Sequence, residues 1–167
     1  RLGDVAMHAV RRAELQLDES VAIFGQGVVG QLVTSFSRLS GAYPVIAVDL
    51  DAERLKLSEQ SGATHTINAA QTDPVSEILK LTGAKNADKR LAELKSKGIN
   101  ALEPNKRWMI EGGGAQCVFH ATKTAKTLIE CMKAASDRGK VVLIGSPFDT
   151  VETSIREEML NKELQIK

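Results

Sequence analysis

Three glycines, spaced as Gly25-Gln26-Gly27-Val28-Val29-Gly30, follow directly on the apolar run Val21-Ala22-Ile23-Phe24. A strand that ends in G-x-G-x-x-G and passes straight into a helix brings bare backbone N–H groups up to a phosphate. Gly25 permits the tight turn, Gly27 lets the backbone approach a pyrophosphate, and Gly30 lets the following helix pack closely on the sheet. The helix opening near Val28 aims its unbonded N–H groups and the positive end of its dipole at the same point. A second apolar run ends in Val48-Asp49-Leu50, and Asp49 stands 19 residues beyond Gly30. That is about where a carboxylate holds the adenosine ribose hydroxyls. A carboxylate bonds a 2′-hydroxyl and repels a 2′-phosphate, so NAD is expected in preference to NADP. Arg54, five residues on, is the residue type by which NADP-binding proteins accommodate the extra phosphate. With Asp49 in place, Arg54 is expected beside the adenine or paired with Asp51.

The elements that must position these groups follow from periodicity. Short β-branched runs alternate with longer helical patterns, the mark of a parallel sheet covered on both faces. Strands are expected at Val21 to Gly25, Pro44 to Asp49, His65 to Asn68, Gln116 to His120, Lys140 to Gly145 and Glu163 to Lys167. Helices are expected at Asp4 to Ala13, Val28 to Leu39, Ala52 to Gln60, Pro74 to Leu81, Lys123 to Ser136 and Glu152 to Lys162. Asp51 is placed to cap the helix it precedes, while Gly41 and Gly62 are placed to end helices.

One segment breaks this rhythm. About 30 residues separate Leu81 from Gln116, more than an ordinary connection uses, so residues 84–111 read as an insertion. Its first half, Asn86 to Lys97, has the pattern of a short charged helix stopped by Gly98; the rest contains Pro104 and the only tryptophan, Trp108. From Lys85 to Arg107 there are seven basic and three acidic residues, a local excess of four positive charges. Its apolar members, Leu91, Leu94, Ile99, Leu102 and Trp108, are expected to pack at an edge or an interface.

Composition bounds the function classes. At 167 residues the chain makes about one domain. With 43% hydrophobic and 26% charged residues it is neither disordered nor fibrous. Its 22 basic and 21 acidic residues give no general attraction to nucleic acid or an anionic membrane. No apolar run approaches the roughly 18 residues of a membrane helix, and Arg1-Leu2-Gly3-Asp4 has no signal-peptide layout, so a cytoplasmic protein is expected. Cys117 and Cys131 lack C-x-x-C or zinc-ligand spacing and read as buried, reduced thiols. The three histidines, His8, His65 and His120, are scattered over a helix and two strands without metal-ligand spacing.

Beyond the glycine motif, Val48-Asp49-Leu50-Asp51-Ala52-Glu53-Arg54, Ser61-Gly62-Ala63-Thr64-His65, Gly112-Gly113-Gly114-Ala115-Gln116-Cys117-Val118-Phe119-His120-Ala121-Thr122 and Arg138-Gly139-Lys140-Val141-Val142-Leu143-Ile144-Gly145-Ser146-Pro147 run in an order that closely resembles the cofactor domain of zinc-type medium-chain alcohol dehydrogenases. The resemblance covers roughly four-fifths of the chain, all but the insertion. It implies an α/β Rossmann fold, a doubly wound parallel six-stranded sheet in order 3-2-1-4-5-6, with NAD across the carboxyl ends of the strands. It also implies that Ala121 and Thr122 border the adenine and that Gly145, Ser146 and Pro147 border the nicotinamide. His120 and Lys123 depart from the acidic residue and glycine that many members carry.

For a complete enzyme the resemblance implies hydride transfer between an alcohol and the nicotinamide, with the aldehyde or ketone as the other substrate and with zinc held by a separate catalytic domain. No such ligand set stands in these residues, so no catalytic or metal-binding residue is nominated. The chain is expected to be one NAD-binding domain over 1–167, with 1–18 as leading helix and connection, either truncated from a longer enzyme or the product of an incomplete gene, and inactive alone. The family's edge strand implies a homodimer or higher homo-oligomer. Two other classes share the glycine pattern: a stand-alone NAD-sensing domain and a methyltransferase using S-adenosylmethionine.

Overall fold

Why the first strand lies at the centre of the sheet follows from burial. Val21–Phe24 (β1) is buried at every residue, which requires a strand on each side and a helical layer on each face. A computed structural model describes residues 1–83, 96, 113–145, 150 and 162–167 and shows that arrangement. In chain order the described elements are α1 (Leu2–Ala13), β1, α2 (Val28–Leu39), β2 (Val45–Asp49), α3 (Ala52–Gln60), β3 (His65–Asn68), α4 (Pro74–Thr82), β4 (Ala115–His120), α5 (Ala125–Ala134), β5 (Ala135–Leu143) and β6 (Gln165–Ile166). The six strands are parallel and ordered β3-β2-β1-β4-β5-β6, the doubly wound Rossmann topology expected.

Two apolar layers hold the sheet. On one face Ala6, Ala9, Val10 and Ala13 of α1 and Val33 of α2 pack on Val21, Ile23, Val45 and Phe119. On the other, Val75, Ile78 and Leu79 of α4 and Cys131, Met132 and Ala134 of α5 pack on Phe24, Ile46, Val48 and Val118. The start signal at Asp51 acts as read, and the structure adds a second at Asp73. The Asp51 carboxylate accepts from the N–H groups of Glu53 and Arg54 at the head of α3, and Asp73 accepts from Ser76 N–H at the head of α4, where Pro74 takes the first position.

Differences concentrate around β5. The expected helix to Ser136 ends at Ala134, and the strand expected from Lys140 begins at Ala135. Ala135 pairs with Ala115, whereas the next pair is Cys117 with Lys140. Residues 136–139 therefore form a bulge, turned by Arg138 at φ 57°. Arg138 Nε donates to Glu163 at 2.9 Å, tying the bulge to the chain beside β6. The last strand is shorter than expected, Gln165–Ile166. The helices expected at Asn86 to Lys97 and Glu152 to Lys162 fall outside the described residues, apart from Ser96 and Lys162. The insertion's two ends do meet: Gly114 N–H donates to Thr82 Oγ1 at 2.8 Å. Gly114 immediately precedes β4, so the insertion leaves and returns at the amino ends of the strands.

Candidate cofactor site

The chain turns to opposite sides of β1 to reach β2 and β4, and this reversal opens a crevice at the carboxyl ends of the three strands. Phe24, Val48 and His120 stand side by side there in the sheet register. The three glycines at this rim have three distinct reasons to be glycine. Gly25 has φ +93°, and a Cβ on it would lie 2.7 Å from Thr122 Cγ2 and 2.8 Å from the Ala121 carbonyl oxygen. Gly30 lies so near the turn that a Cβ would sit 1.9 Å from the Gly25 carbonyl oxygen. Gly27, the N-cap of α2, has an ordinary φ of −72°, and a Cβ there would meet nothing within 4 Å. Folding thus demands the first and third glycines. The second faces open space, as it must if a ligand is to approach the backbone.

Asp49 ends β2 beside that turn with its side chain only 10% exposed. Gln26 N–H donates to its Oδ2 at 2.6 Å and Asp51 N–H to its Oδ1 at 3.0 Å. Two backbone donors fix the carboxylate plane and leave a lone pair on each oxygen, the acceptor set that two vicinal ribose hydroxyls need. Arg54 sits loosely between two carboxylates, 3.9 Å from Asp49 and 3.8 Å from Asp51, with its side chain 54% exposed. This is the Asp51 pairing read as one of its two placements, extended to Asp49. Leu50 is exposed, as is Val28 at the first position of α2; Val29 packs against the core.

On the far side of the crevice Ala121 N–H donates to Phe24 O at 2.9 Å, which locks the turn after β4 onto the turn after β1. Gly145 closes the rim; a Cβ on it would lie 1.8 Å from the Thr122 carbonyl oxygen. Gly25, Ala121, Thr122 and Gly145 are therefore one packed group. Ser146 and Pro147 lie outside the described residues.

Gln26 is placed differently from its neighbours. Its N–H serves Asp49, but its side chain turns inward and is 1% exposed. Nε2 donates to Ile23 O at 3.1 Å, and Oε1 accepts from Thr34 and Ser58 hydroxyls at 3.1 and 3.0 Å. His120 is also fully buried, with Nε2 2.9 Å from Thr122 Oγ1, 3.3 Å from Thr124 O, and Nδ1 unpartnered. Burial holds its pKa below the usual imidazole range, opposed by the backbone at Thr124 and Gly145. Sequence reasoning missed both roles, and also Lys162, whose Nζ donates to the carbonyls of Met132, Lys133 and Ala135 at the end of α5. A basic residue capping a helix carboxyl end has a clear physical logic, but nothing local to Lys162 names that helix.

A nicotinamide dinucleotide fits this chemistry: an uncovered helix N-terminus at Gly27 and a fixed, half-used carboxylate at Asp49. Zinc does not fit the described residues, none of which group three or more His, Cys, Asp or Glu side chains around a common point. Cys117 and Cys131 lie in opposite core layers. Burial pushes the Cys117 thiol up to about 12 and the Cys131 thiol well above its ordinary value, so both are protonated thiols, poor as metal ligands.

The class that the fold defines is a doubly wound, Rossmann-type α/β domain. Residues 28–167 match the sequence pattern described as zinc-binding dehydrogenase, and the chain belongs to that family. Among curated relatives it is 32% identical over 102 residues to an alcohol dehydrogenase of Cupriavidus necator, covering 61% of this chain and 27% of that enzyme. It is 30% identical over 138 residues to D-guloside 3-dehydrogenase of Escherichia coli, covering 82% of this chain and 39% of that one. A zinc-binding dehydrogenase of Sinorhizobium meliloti 1021 solved bound to NADP superposes with a TM-score of 0.77 at 25% identity, over 99% of this chain and 41% of that chain. The chain thus spans between a quarter and two-fifths of these relatives' lengths. Among the described residues, no helix is long and apolar enough to cross a membrane.

Proposed function

We propose that the chain is the NAD-binding part of an alcohol- or polyol-dehydrogenase-like oxidoreductase. The observation that carries this reading is the Asp49 carboxylate, held by the N–H groups of Gln26 and Asp51 beside a glycine whose Cβ direction is open. When bound, the cofactor supplies hydride transfer between its nicotinamide and an alcohol carbon. The chain's own groups bind and orient it. The N-terminus of α2 takes the pyrophosphate, Asp49 takes the ribose diol, and the exposed side chain of Leu50 gives the adenine an apolar neighbour. The packed group of Gly25, Ala121, Thr122 and Gly145 supports the rim, and Ser146 and Pro147, next in sequence, are assigned to the nicotinamide side by the family resemblance. A 2′-phosphate would meet Asp49 at close range, and this favours NAD; Arg54 is the only cation paired with that carboxylate among the described residues.

The residues that polarise the alcohol and hold zinc are assigned to other parts of the enzyme, which acts in the cytoplasm. This chain alone is expected to show no alcohol-dependent NAD reduction with or without added zinc. Isothermal titration with NAD, NADP and S-adenosylmethionine tests the reading. NAD binding most tightly supports it. Binding of S-adenosylmethionine alone, or of none of the three by folded protein, overturns it.

A further inference from the structure

Between the two glycines that open the turn after β1 stands a single side chain, that of Gln26, and it points away from the crevice into the protein, 1% exposed. Nε2 donates to Ile23 O at 3.1 Å. A carbonyl only accepts, so the amide nitrogen is fixed on that side and Oε1 on the other. There Oε1 accepts from Thr34 on α2 at 3.1 Å and from Ser58 on α3 at 3.0 Å. Ser58 has one proton and also lies 2.8 Å from Arg54 O, but Gln31 Nε2 serves that carbonyl at 2.8 Å and leaves the proton to Gln26. Of the two donors and two acceptor sites an amide has, all but one donor are used, and the partners stand on β1, α2 and α3. Thr34 and Ser58 are themselves wholly buried, so neither touches a ligand in the crevice.

The main chain of the same residue belongs to the site. Its N–H holds Asp49 Oδ2 at 2.6 Å, and the next residue, Gly27, is the N-cap of α2. A glycine on either side gives this stretch more backbone freedom than any other residue type would. Gly25 is tied by its N–H to Val48 O at 2.8 Å; beyond it, the side-chain bonds of Gln26 are what fix the turn from beneath. Freedom left in the turn would be lost when a cofactor binds, and affinity would fall by that loss. An anchored Gln26 removes it beforehand, during folding.

We propose that Gln26 is a positioning residue whose buried side chain ties the glycine turn to β1, α2 and α3, so that the Asp49 carboxylate and the N-terminus of α2 are pre-set for the dinucleotide. The proposal rests on the cofactor reading above and adds what holds the site in shape. Gln26→Met, which keeps the chain length and removes the amide, tests it. Isothermal titration well below the melting temperature samples folded protein, so a loss of stability alone leaves the dissociation constant unmoved. NAD affinity should fall roughly 5- to 30-fold, the equivalent of ordering one residue's backbone at binding instead of at folding. Thr34→Val combined with Ser58→Ala strips both hydroxyls from Oε1 without altering the turn itself. That double variant should weaken NAD binding in the same direction, yet add less than about twofold in the Gln26→Met background. Thr34→Ser, which keeps the hydroxyl, should bind like wild type. Without cofactor, the amide hydrogens of positions 26 and 27 should exchange with solvent about tenfold faster in Gln26→Met and in the double variant. A folded Gln26→Met protein with NAD affinity within about twofold of wild type, or a double variant whose effect persists undiminished in the Gln26→Met background, overturns the proposal while leaving NAD binding intact. Should Gln26→Met fail to fold, the Thr34 and Ser58 variants decide alone: NAD affinity and amide exchange both unmoved overturn it. Failure of wild-type protein to bind NAD overturns the cofactor reading, and this proposal with it.

Discussion

Replacing Gly27 with alanine should separate binding from folding. The position has φ −72°, which alanine adopts without strain, and its Cβ would meet nothing within 4 Å. Alanine is a poorer N-cap than glycine by about 0.5–1 kcal/mol, and the stiffer unfolded chain returns about 0.4–1 kcal/mol, so stability should change by less than about 1 kcal/mol. For a domain this size the melting temperature should stay within about 4 °C of wild type. In the complex, however, the new methyl group occupies the space through which the pyrophosphate reaches the backbone. Forcing a methyl group into a packed contact costs about 1–3 kcal/mol, a loss of roughly 5- to 150-fold in NAD affinity. Gly30→Ala is the contrasting variant. Its Cβ would lie 1.9 Å from the Gly25 carbonyl oxygen, a backbone clash that no rotamer relieves, so it should melt far lower or fail to fold. Thermal melts followed by isothermal titration read both quantities. A folded Gly27→Ala protein that binds NAD within twofold of wild type would refute the placement of the pyrophosphate.

Asp49→Ser removes the charge that faces the ribose and should narrow or reverse the preference for NAD over NADP, read as the ratio of the two dissociation constants. His120, buried with a lowered pKa, releases its proton on folding, so its contribution to stability is complete above the ordinary imidazole value of about 6.5 and is lost as pH falls below it. Melting temperatures between pH 7.5 and 5.5 should fall less steeply for His120→Gln than for wild type; parallel slopes would reject this. Deleting residues 84–111, whose flanks join at Thr82 and Gly114 opposite the crevice, should leave NAD affinity nearly unchanged while altering oligomeric state or solubility in sedimentation. A folded deletion variant that loses NAD binding would place the segment over the cofactor instead.

The strands and the glycine turn were legible because both rest on local signals: apolar runs of strand length, glycines at fixed offsets, and a carboxylate at a strand end; the sheet order followed from the family resemblance. Asp51 was similarly readable as a helix start, since a cap lies next to what it caps. The inward turn of Gln26 was not, because its partners Thr34 and Ser58 are 8 and 32 residues away and no periodicity links them. Lys162 reads as one more surface lysine until α5 places three carbonyls around it. The early start of β5 depends on pairing between Ala135 and Ala115, a contact between strands that no local pattern announces. Tertiary hydrogen bonding, invisible to a sliding window, accounts for each of these.

Backbone amide shifts of the ¹⁵N-labelled chain during NAD titration test cofactor binding at the β1 turn most directly. The largest shifts should fall on the amides from Gly25 to Gly30 and on Asp49 to Asp51, with smaller ones at Ala121, Thr122 and Gly145, and with the edge strand β3 and the Thr82–Gly114 junction unmoved. Saturable NAD binding whose shifts cluster anywhere else, or no shifts at millimolar NAD, would contradict the assignment of this crevice as the cofactor site.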